Sequence, residues 1–237
     1  MELLREPKDG DSLDCRKTMY PCRLSVIQGG SARRVGAMTS TVYGYVVSGE
    51  ARLRAEHFDL RAAAGSFFCV PDEHEIEASG QVVVIERHGF RGLLVAGRIE
   101  QQGRLSYIDG CSDTILVAPP RWGDPVFNHL HFPRGVDQTQ HTHPSVRLGV
   151  VARGEGIAYR AGAAGKGAWE HRLTEGCVFL LHAHEMHSFR TVESAREMDV
   201  IAFHPDSDWG PTDAIHPMLN RTFIGNLPPR AGQSPSE

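Results

Sequence analysis

Five histidines lie in two short stretches of the chain, "QHTHPSVRLGVVARGEG" (140–156) and "GCVFLLHAHEMHSF" (176–189). Side chains two residues apart in a β-strand project from the same face, so His141 and His143 can present two imidazoles to one ion. His187, at the start of the strand after a turn, is well placed to supply a third. Three neutral imidazoles suit Fe(II), Zn, Ni, Cu or Mn, with open positions for substrate, water or O2. The spacing therefore predicts a site for one divalent transition metal.

Arg147 lies four residues after His143. A guanidinium close to a divalent ion is repelled by on the order of a few kcal/mol, even at a high effective dielectric. Arg147 therefore either points away from the ion or faces a site that receives an anion, where its planar fork can bind a carboxylate or an enolate. We predict a substrate-binding role, and the alternative is a salt bridge to Glu155 or Glu170.

Three more residues near His187 are candidates for catalysis. His182 and His184 could carry protons or orient the metal ligands, and Glu185 could act as a general base or a fourth ligand. The alternative for Glu185 is a solvated turn residue. His129 and His131 share one strand face, and we expect them to point outward or into an interface rather than toward the metal.

The elements that position these residues are predicted to be strands. Short runs rich in Val, Ile, Phe and Leu, such as "TVYGYVVSG", "SFFCVP", "VRLGVVARG" and "MDVIAFHP", are bounded by Gly, Pro and Asp. Helical spacing is not sustained anywhere after Tyr20. Many short strands with regular turn signals are typical of an all-β sandwich or small barrel.

An internal repeat divides the chain. Gly49 aligns with Gly154 and Gly65 with Gly176, and the loop "AGAAGKG" in the second copy absorbs the length difference. Two copies of one β unit are therefore expected.

The repeat sets the predicted boundaries. A lead-in covers 1–20, the two β units cover 21–98 and 105–205, and an extended arm covers 206–237. The last ten or so residues of the arm are expected to be disordered.

The two histidine stretches resemble the motifs of the cupin superfamily. Gly135, His141, His143 and Gly154 match the first motif, G-x5-H-x-H-x3-4-E-x6-G, and Gly176 and His187 match the second. The resemblance implies two cupin barrels (double-stranded β-helix, jelly-roll) in tandem, a bicupin, with His141, His143 and His187 as metal ligands. Similar three-histidine cupins include non-haem iron oxygenases such as thiol and diketone dioxygenases.

The chain departs from the cupin motifs at several positions. Arg147 replaces the usual glutamate ligand, His182 and His184 replace a proline and a glycine, and Thr191 replaces an asparagine. Projection of the repeat offsets onto the first half gives Gly36, Met38 and Ile76 in place of the three ligands. The first barrel is therefore expected to lack a metal site and to serve in packing.

Composition disfavours several partners and compartments. The net charge is -4 with a pI near 6.3, and no cluster of Lys and Arg suggests nucleic acid or a membrane surface. No signal peptide or spanning segment is visible. An odd number of cysteines, five, without a Cys-x-x-Cys pair argues against a disulfide framework, so the cytoplasm is the expected compartment.

The combined prediction is a cytoplasmic metal enzyme that forms a homodimer. The leading hypothesis is a non-haem Fe(II) dioxygenase acting on a small anionic substrate. The second keeps the site but uses Zn, Ni or Mn for isomerase or lyase chemistry without O2. The third is a small-molecule-binding module without turnover.

Overall fold

The computed structural model describes residues 1–162, 167–193 and 196–219, and it is built from antiparallel strands. The described residues contain one short 3-10 turn, Ile108–Gly110, and no helix long and apolar enough to cross a membrane. The predicted all-β fold class is therefore confirmed.

The described residues contain nineteen strands, numbered in chain order. The first eleven are β1 (Glu2–Leu4), β2 (Ser12–Asp14), β3 (Cys22–Ile27), β4 (Ala32–Val35), β5 (Ser40–Val46), β6 (Glu50–Ala55), β7 (Phe58–Ala63), β8 (Ser66–Pro71), β9 (His74–Ala78), β10 (Val82–His88) and β11 (Val95–Arg98). The others are β12 (Leu105–Ser106), β13 (Ser112–Val117), β14 (Val126–Phe132), β15 (Arg147–Arg160), β16 (Trp169–Thr174), β17 (Val178–Leu181), β18 (Ser188–Arg190) and β19 (Met198–His204).

The first barrel consists of two facing sheets. A six-stranded sheet has the order β11-β8-β5-β10-β3-β2, and a four-stranded sheet has the order β4-β9-β6-β7. Alternating side chains from both sheets meet in one apolar core. Its buried members include Val42, Val46, Leu53, Phe68, Ile76 and Val84.

The second barrel is organised around the long strand β15. The order β1-β17-β15-β19-β14-β13-β12 forms its main sheet, and β16 and β18 also pair with β15. A bulge between Val151 and Arg153 bends β15, so its first part pairs with β17 and β19 and its last part with β16 and β18. One strand therefore serves both layers, and the cavity described below lies between them.

The two barrels repeat the same local structure. Gly49 and Gly154 have φ values of 71° and 73°, in the left-handed region that glycine adopts without strain. Gly44 lies opposite Phe68 in the first barrel, as Gly149 lies opposite Phe179 in the second, and each ring covers the glycine backbone.

A second apolar core joins the barrels. The outer face of the six-stranded sheet packs against the outer face of the main sheet of the second barrel. Tyr43 is central to this contact, because its ring centroid lies 5.7 Å from that of Phe127 and 4.8 Å from that of Phe203. The strands at this contact are buried on both faces.

The predicted lead-in and the predicted arm both contact the barrels. Strand β1 pairs with β17 of the second barrel, whereas β2 pairs with β3 of the first. In the arm, the Trp122 amide donates to the Pro211 carbonyl at 3.0 Å, so this segment follows the loop before β14. The tail predicted to be disordered falls outside the described residues.

Candidate metal centre

A pair of backbone hydrogen bonds brings two of the three predicted ligands together. The His141 amide donates to the His187 carbonyl at 2.9 Å, and the His187 amide donates back at 3.0 Å. This bridge places the two ring centroids 4.6 Å apart. His143 follows two residues later, with ring centroids 5.0 Å from His141 and 5.1 Å from His187. Residues 46 positions apart in sequence therefore form one cluster.

The three imidazoles fit a shared metal ion. One nitrogen from each of His141, His143 and His187 lies within 4.8 Å of the others. The Nδ1 of His141 is 2.8 Å from the Thr139 carbonyl, and the Nδ1 of His187 is 2.8 Å from the Glu185 carbonyl. A carbonyl only accepts, so each Nδ1 carries the proton and each Nε2 keeps its lone pair for a metal.

The burial of the cluster favours the neutral, ligating form. Burial lowers the pKa of His143 to about 3, with further contributions from the charge of Arg147 and the neighbouring imidazoles. Burial also lowers the pKa of His187 to about 4. The Nε2 of His187 is buried and makes no hydrogen bond. The three residues can therefore bind one divalent metal, as predicted.

His204 lies beside the cluster and is a residue that the sequence analysis missed. Its ring centroid is 6.3 Å from that of His143, at the end of β19. Burial lowers the pKa of His204 well below its usual value, and the charge of Arg147 adds to this effect. Its only signal in the sequence is its place at the end of the strand "MDVIAFH".

Arg147 lies in the cavity wall and is buried, with 9% of its surface exposed. Its Nη1 donates to the Ser145 hydroxyl at 2.7 Å and to the Val146 carbonyl at 2.9 Å, while its Nε is buried without a partner. The Ser145 hydroxyl donates in turn to Asp206. Arg147 is thus anchored from one end of its guanidinium.

The alternative salt bridge for Arg147 is wrong. Glu155 pairs with Arg172 at 2.5 Å, and Glu170 pairs with Arg190 at 2.6 Å. Both carboxylates are therefore engaged by other cations, and Arg147 faces the cavity instead.

His182, His184 and Glu185 do not line the cavity. His182 and His184 are exposed, and His182 lies 3.1 Å from Glu2. Glu185 contacts the amino group of Met1 and accepts from the His182 amide at 2.9 Å. Glu185 contributes to the centre through its backbone carbonyl, whereas the catalytic roles predicted for these three side chains have no support in their placement.

His129 and His131 face away from the cavity but are not exposed. They share the β14 face of Phe127, which belongs to the core between the barrels, and both are buried. Asp199 accepts from His129 at 2.6 Å and from His131 at 3.1 Å. Arg153 completes the group with a 2.9 Å bond to the same carboxylate.

The cavity next to the histidines is small, with a volume of about 70 Å³. Apolar and aromatic side chains make up much of its wall, namely Leu130, Phe132, Phe179, Leu181, Phe189, Val200 and Ala202. Its polar lining consists of Tyr107, Asp113, Asn128, Gln138, Arg147, His204 and the three ligands. A small ligand with one charged end fits this arrangement better than a bulky one.

Known structures share this architecture. A cupin 2 conserved barrel domain protein from Leptotrichia buccalis has a TM-score of 0.59 at 18% identity, over 85% of this chain and 95% of that one. The Mn(II)-containing oxalate decarboxylase of Bacillus subtilis gives 0.55 at 13%, over 87% and 75%. The protein has the cupin fold. A mutant salicylate 1,2-dioxygenase from Pseudoaminobacter salicylatoxidans gives 0.57 at 12% identity, over 77% and 69%.

Sequence comparison gives a narrower result. Residues 132–229, less than half of the chain, match the model of the AraC-like ligand binding domain. No curated protein sequence matches the chain. The matched segment contains His141, His143 and His187.

The first cupin barrel keeps one histidine that the projection overlooked. Ala158 pairs with Phe189, and its equivalent Leu53 pairs with Ile76, so Ile76 corresponds to Phe189 rather than to His187. His74 lies two residues before Ile76, and His187 lies two residues before Phe189, so His74 is the equivalent of His187. The Nδ1 of His74 also contacts the carbonyl two residues earlier, at 3.0 Å, and its Nε2 is buried without a partner. The expectation that the first barrel had lost all three ligands is therefore wrong.

Proposed function

We propose that this cupin is a metal-dependent enzyme for a small anionic organic substrate, with Fe(II) as the leading metal and O2 as co-substrate. One observation carries the proposal. Three imidazole nitrogens converge in one cavity beside the buried, cationic Arg147, and the cluster found among the described residues contains no carboxylate. Neutral ligands leave the full charge on the metal, so an anionic substrate is favoured there.

Two of the similar structures support the substrate class. One is named as an oxalate decarboxylase and the other as a salicylate dioxygenase, and both names refer to carboxylates. Their identities of 13% and 12% support the fold, and the substrate class enters here as part of the proposal.

The residues of the chain would prepare the substrate in three ways. The carbonyls of Thr139 and Glu185 fix the rings of His141 and His187. Arg147 donates its free Nε–H to the substrate carboxylate and orients it. The aromatic walls exclude water, which strengthens these electrostatic contacts. Fe(II), when bound, supplies the open positions and the redox chemistry that reaction with O2 requires.

A second candidate is isomerase or lyase chemistry with Mn, Zn or Ni. It is favoured by Asp113, whose carboxyl lines the cavity and whose pKa is raised by burial, because proton transfer is central to such reactions. A non-catalytic ligand-binding module is the third, and the match to the AraC-like ligand binding domain favours it. Activity under strict anaerobiosis selects the second candidate, and ligand recovered unchanged selects the third.

Metal analysis of protein purified without added metal is the primary test. We expect about one iron per chain, lost in His187→Ala, because two imidazoles hold a divalent ion far more weakly than three. His182→Ala is the matched control, since this exposed histidine lies outside the cavity, and it should keep its metal. O2 uptake with small carboxylates then separates the iron-dependent reaction from its rivals. Equal metal content in His187→Ala and the native chain would contradict the proposed centre.

We also propose that the protein is a cytoplasmic homodimer that binds neither nucleic acid nor membranes. All five cysteines are buried and unpaired, which supports a reducing compartment. Leu93 and Leu94 are 64% and 51% exposed on the first barrel, and apolar surface of this kind supports association.

A further inference from the structure

The cavity contains more unpaired polar atoms than metal binding explains. Among the described residues, four of its lining side chains bury a polar atom without a hydrogen-bond partner. His187 Nε2 is available to the proposed metal, and Arg147 Nε can donate to an anion. The other two are acceptors, Asp113 Oδ1 and Asn128 Oδ1. A ligand that fills the cavity must offer hydrogen-bond donors to these oxygens or leave them unsatisfied.

One hydrogen bond fixes both acceptors. Asn128 Nδ2 donates to Asp113 Oδ2 at 3.0 Å, which orients the amide and leaves one oxygen on each side chain unused. Asp113 is on β13 and Asn128 is on the neighbouring β14. Asn128 is 3% exposed, so bulk solvent has little access to it.

The acceptor pair is set apart from the metal end. Asn128 lies opposite Ala202 of β19, and His204, the next residue on the same face of β19, contacts the histidine cluster. Same-face residues along a strand are about 7 Å apart. Asn128 therefore lies about one two-residue strand repeat from His204 at the metal end, which is about the length of a four-carbon chain.

We propose that Asp113 and Asn128 form a selectivity site for small carboxylates whose far end carries a hydroxyl or amino group. The inference rests on the proposed function for the cationic end of the ligand and deepens it by defining the other end. An ammonium group at the far end can donate to both free oxygens, and a hydroxyl can donate to one of them. A methyl group leaves them unpaired, and a second carboxylate brings acceptor against acceptor.

Four probes of equal length test this selectivity by titration calorimetry on protein loaded with redox-inert Zn(II). We expect 4-hydroxybutanoate and 4-aminobutanoate to bind about tenfold or more tightly than butanoate, and succinate to bind weakest. In the double variant Asp113→Leu/Asn128→Leu, which replaces both acceptors by apolar groups of similar shape, the preference for the hydroxyl probe should disappear. Asp113→Asn keeps an acceptor oxygen and should retain that preference while losing part of the preference for the amino probe.

Two further measurements separate this inference from structural and functional alternatives. The double leucine variant removes both unpaired oxygens without leaving the Asn128 amide unpartnered, so its ligand-free melting temperature should equal or exceed that of the native chain, whereas loss of a purely structural pair would lower it. If the protein binds no metal, the proposed function fails, and hydroxyl selectivity in the metal-free protein, held by Arg147, would still support the inference. The same probe ranking in the native chain and the double leucine variant, or no binding of any probe, overturns it.

Discussion

Arg147 lines the cavity and is hydrogen-bonded to the two residues that precede it at the start of β15. Its Nη1 donates to Ser145 and Val146, which fixes the orientation of the guanidinium and leaves the Nε–H without a partner. Burial lowers the pKa of Arg147 to about 10, and the charge of Asp206 opposes this shift. The side chain therefore stays cationic at neutral pH. A buried cation held in one orientation is well suited to select an anion.

Replacement of this cation should weaken ligand binding without removing the metal. We expect Arg147→Met to raise the dissociation constant of butanoate by about 10- to 100-fold, because a charge-assisted hydrogen bond is lost while side-chain length is kept. Metal content should be unchanged, since the residue is not a ligand. Titration calorimetry and metal analysis measure the two effects.

Arg172→Met is the matched control for that substitution. Arg172 pairs with Glu155 on the surface, 72% exposed, and its loss should leave butanoate binding unchanged. Native affinity in Arg147→Met, or an equal loss in both variants, would remove Arg147 from the binding site.

The sequence predicted the histidine cluster better than the rest of the cavity. Two histidines two apart, together with a third in a matching motif, were enough to bring out His141, His143 and His187, although the first two precede β15 rather than lie on a strand. Asp113 and Asn128 come from strands without a motif. In such strands a shift of one residue reverses which face is inside, so their orientation depends on sheet register that a single sequence does not supply.

At the scale of single elements, a glycine beneath an aromatic ring controls cavity shape. A Cβ at Gly149 would lie 2.4 Å from Cζ of Phe179, whose ring lines the cavity. Gly44 has the same relation to Phe68, at 2.0 Å, in the filled first barrel. The two positions form a natural pair, because one is next to the metal centre and the other is not.

Alanine at each position should separate stability from binding. Both Gly149→Ala and Gly44→Ala are expected to reduce the free energy of unfolding by about 1–3 kcal/mol, because each ring must move. Only Gly149→Ala should weaken butanoate binding, since displacement of Phe179 reduces the cavity. Urea unfolding and calorimetry check the pair. If binding stays native in Gly149→Ala, the ring does not define the ligand space.

The sequence repeat correctly predicted which strands of the two barrels correspond, but it did not predict the residue-by-residue alignment of β9 with β18. The glycines that anchor the repeat were correctly aligned, as their positive φ values show for Gly49 and Gly154. The turn before β18 is two residues longer than its counterpart before β9, so a fixed offset pointed to Ile76 instead of His74. Turn length varies with little energetic cost, which is why alignment across a turn is the weakest step.

At the scale of the whole molecule, the two barrels are joined by a core that sequence patterns did not reveal. Strands β5 and β19 and the first parts of β10 and β15 are buried on both faces, so no alternation of buried and exposed residues marks the outer contact. Beside this core lies Asp199, which is 1% exposed and bonded to His129, His131 and Arg153. It is the charged centre of the second barrel's outer face.

Asp199→Asn should therefore destabilise the protein by about 3 kcal/mol at neutral pH, because a buried carboxylate is lost from three donors. Asp14→Asn is the control, since its pair with Arg16 is half exposed and contributes about 1 kcal/mol at most. Urea unfolding of both variants measures these changes. An equal loss in the two variants would mean that Asp199 is no more important than a surface ion pair.

The pH dependence of unfolding gives the same residue a second test. Burial opposes ionisation of Asp199, but hydrogen bonds from His129 and Arg153 outweigh it and hold its pKa below the ordinary value of 3.8. A carboxyl with a lowered folded-state pKa contributes stability that is complete above 3.8 and is lost as the pH falls through the folded-state pKa. The difference in stability between the native chain and Asp199→Asn should therefore be largest near neutrality and shrink below about pH 4. If the difference in unfolding free energy stays constant down to pH 2, the negative charge of Asp199 does not stabilise the fold.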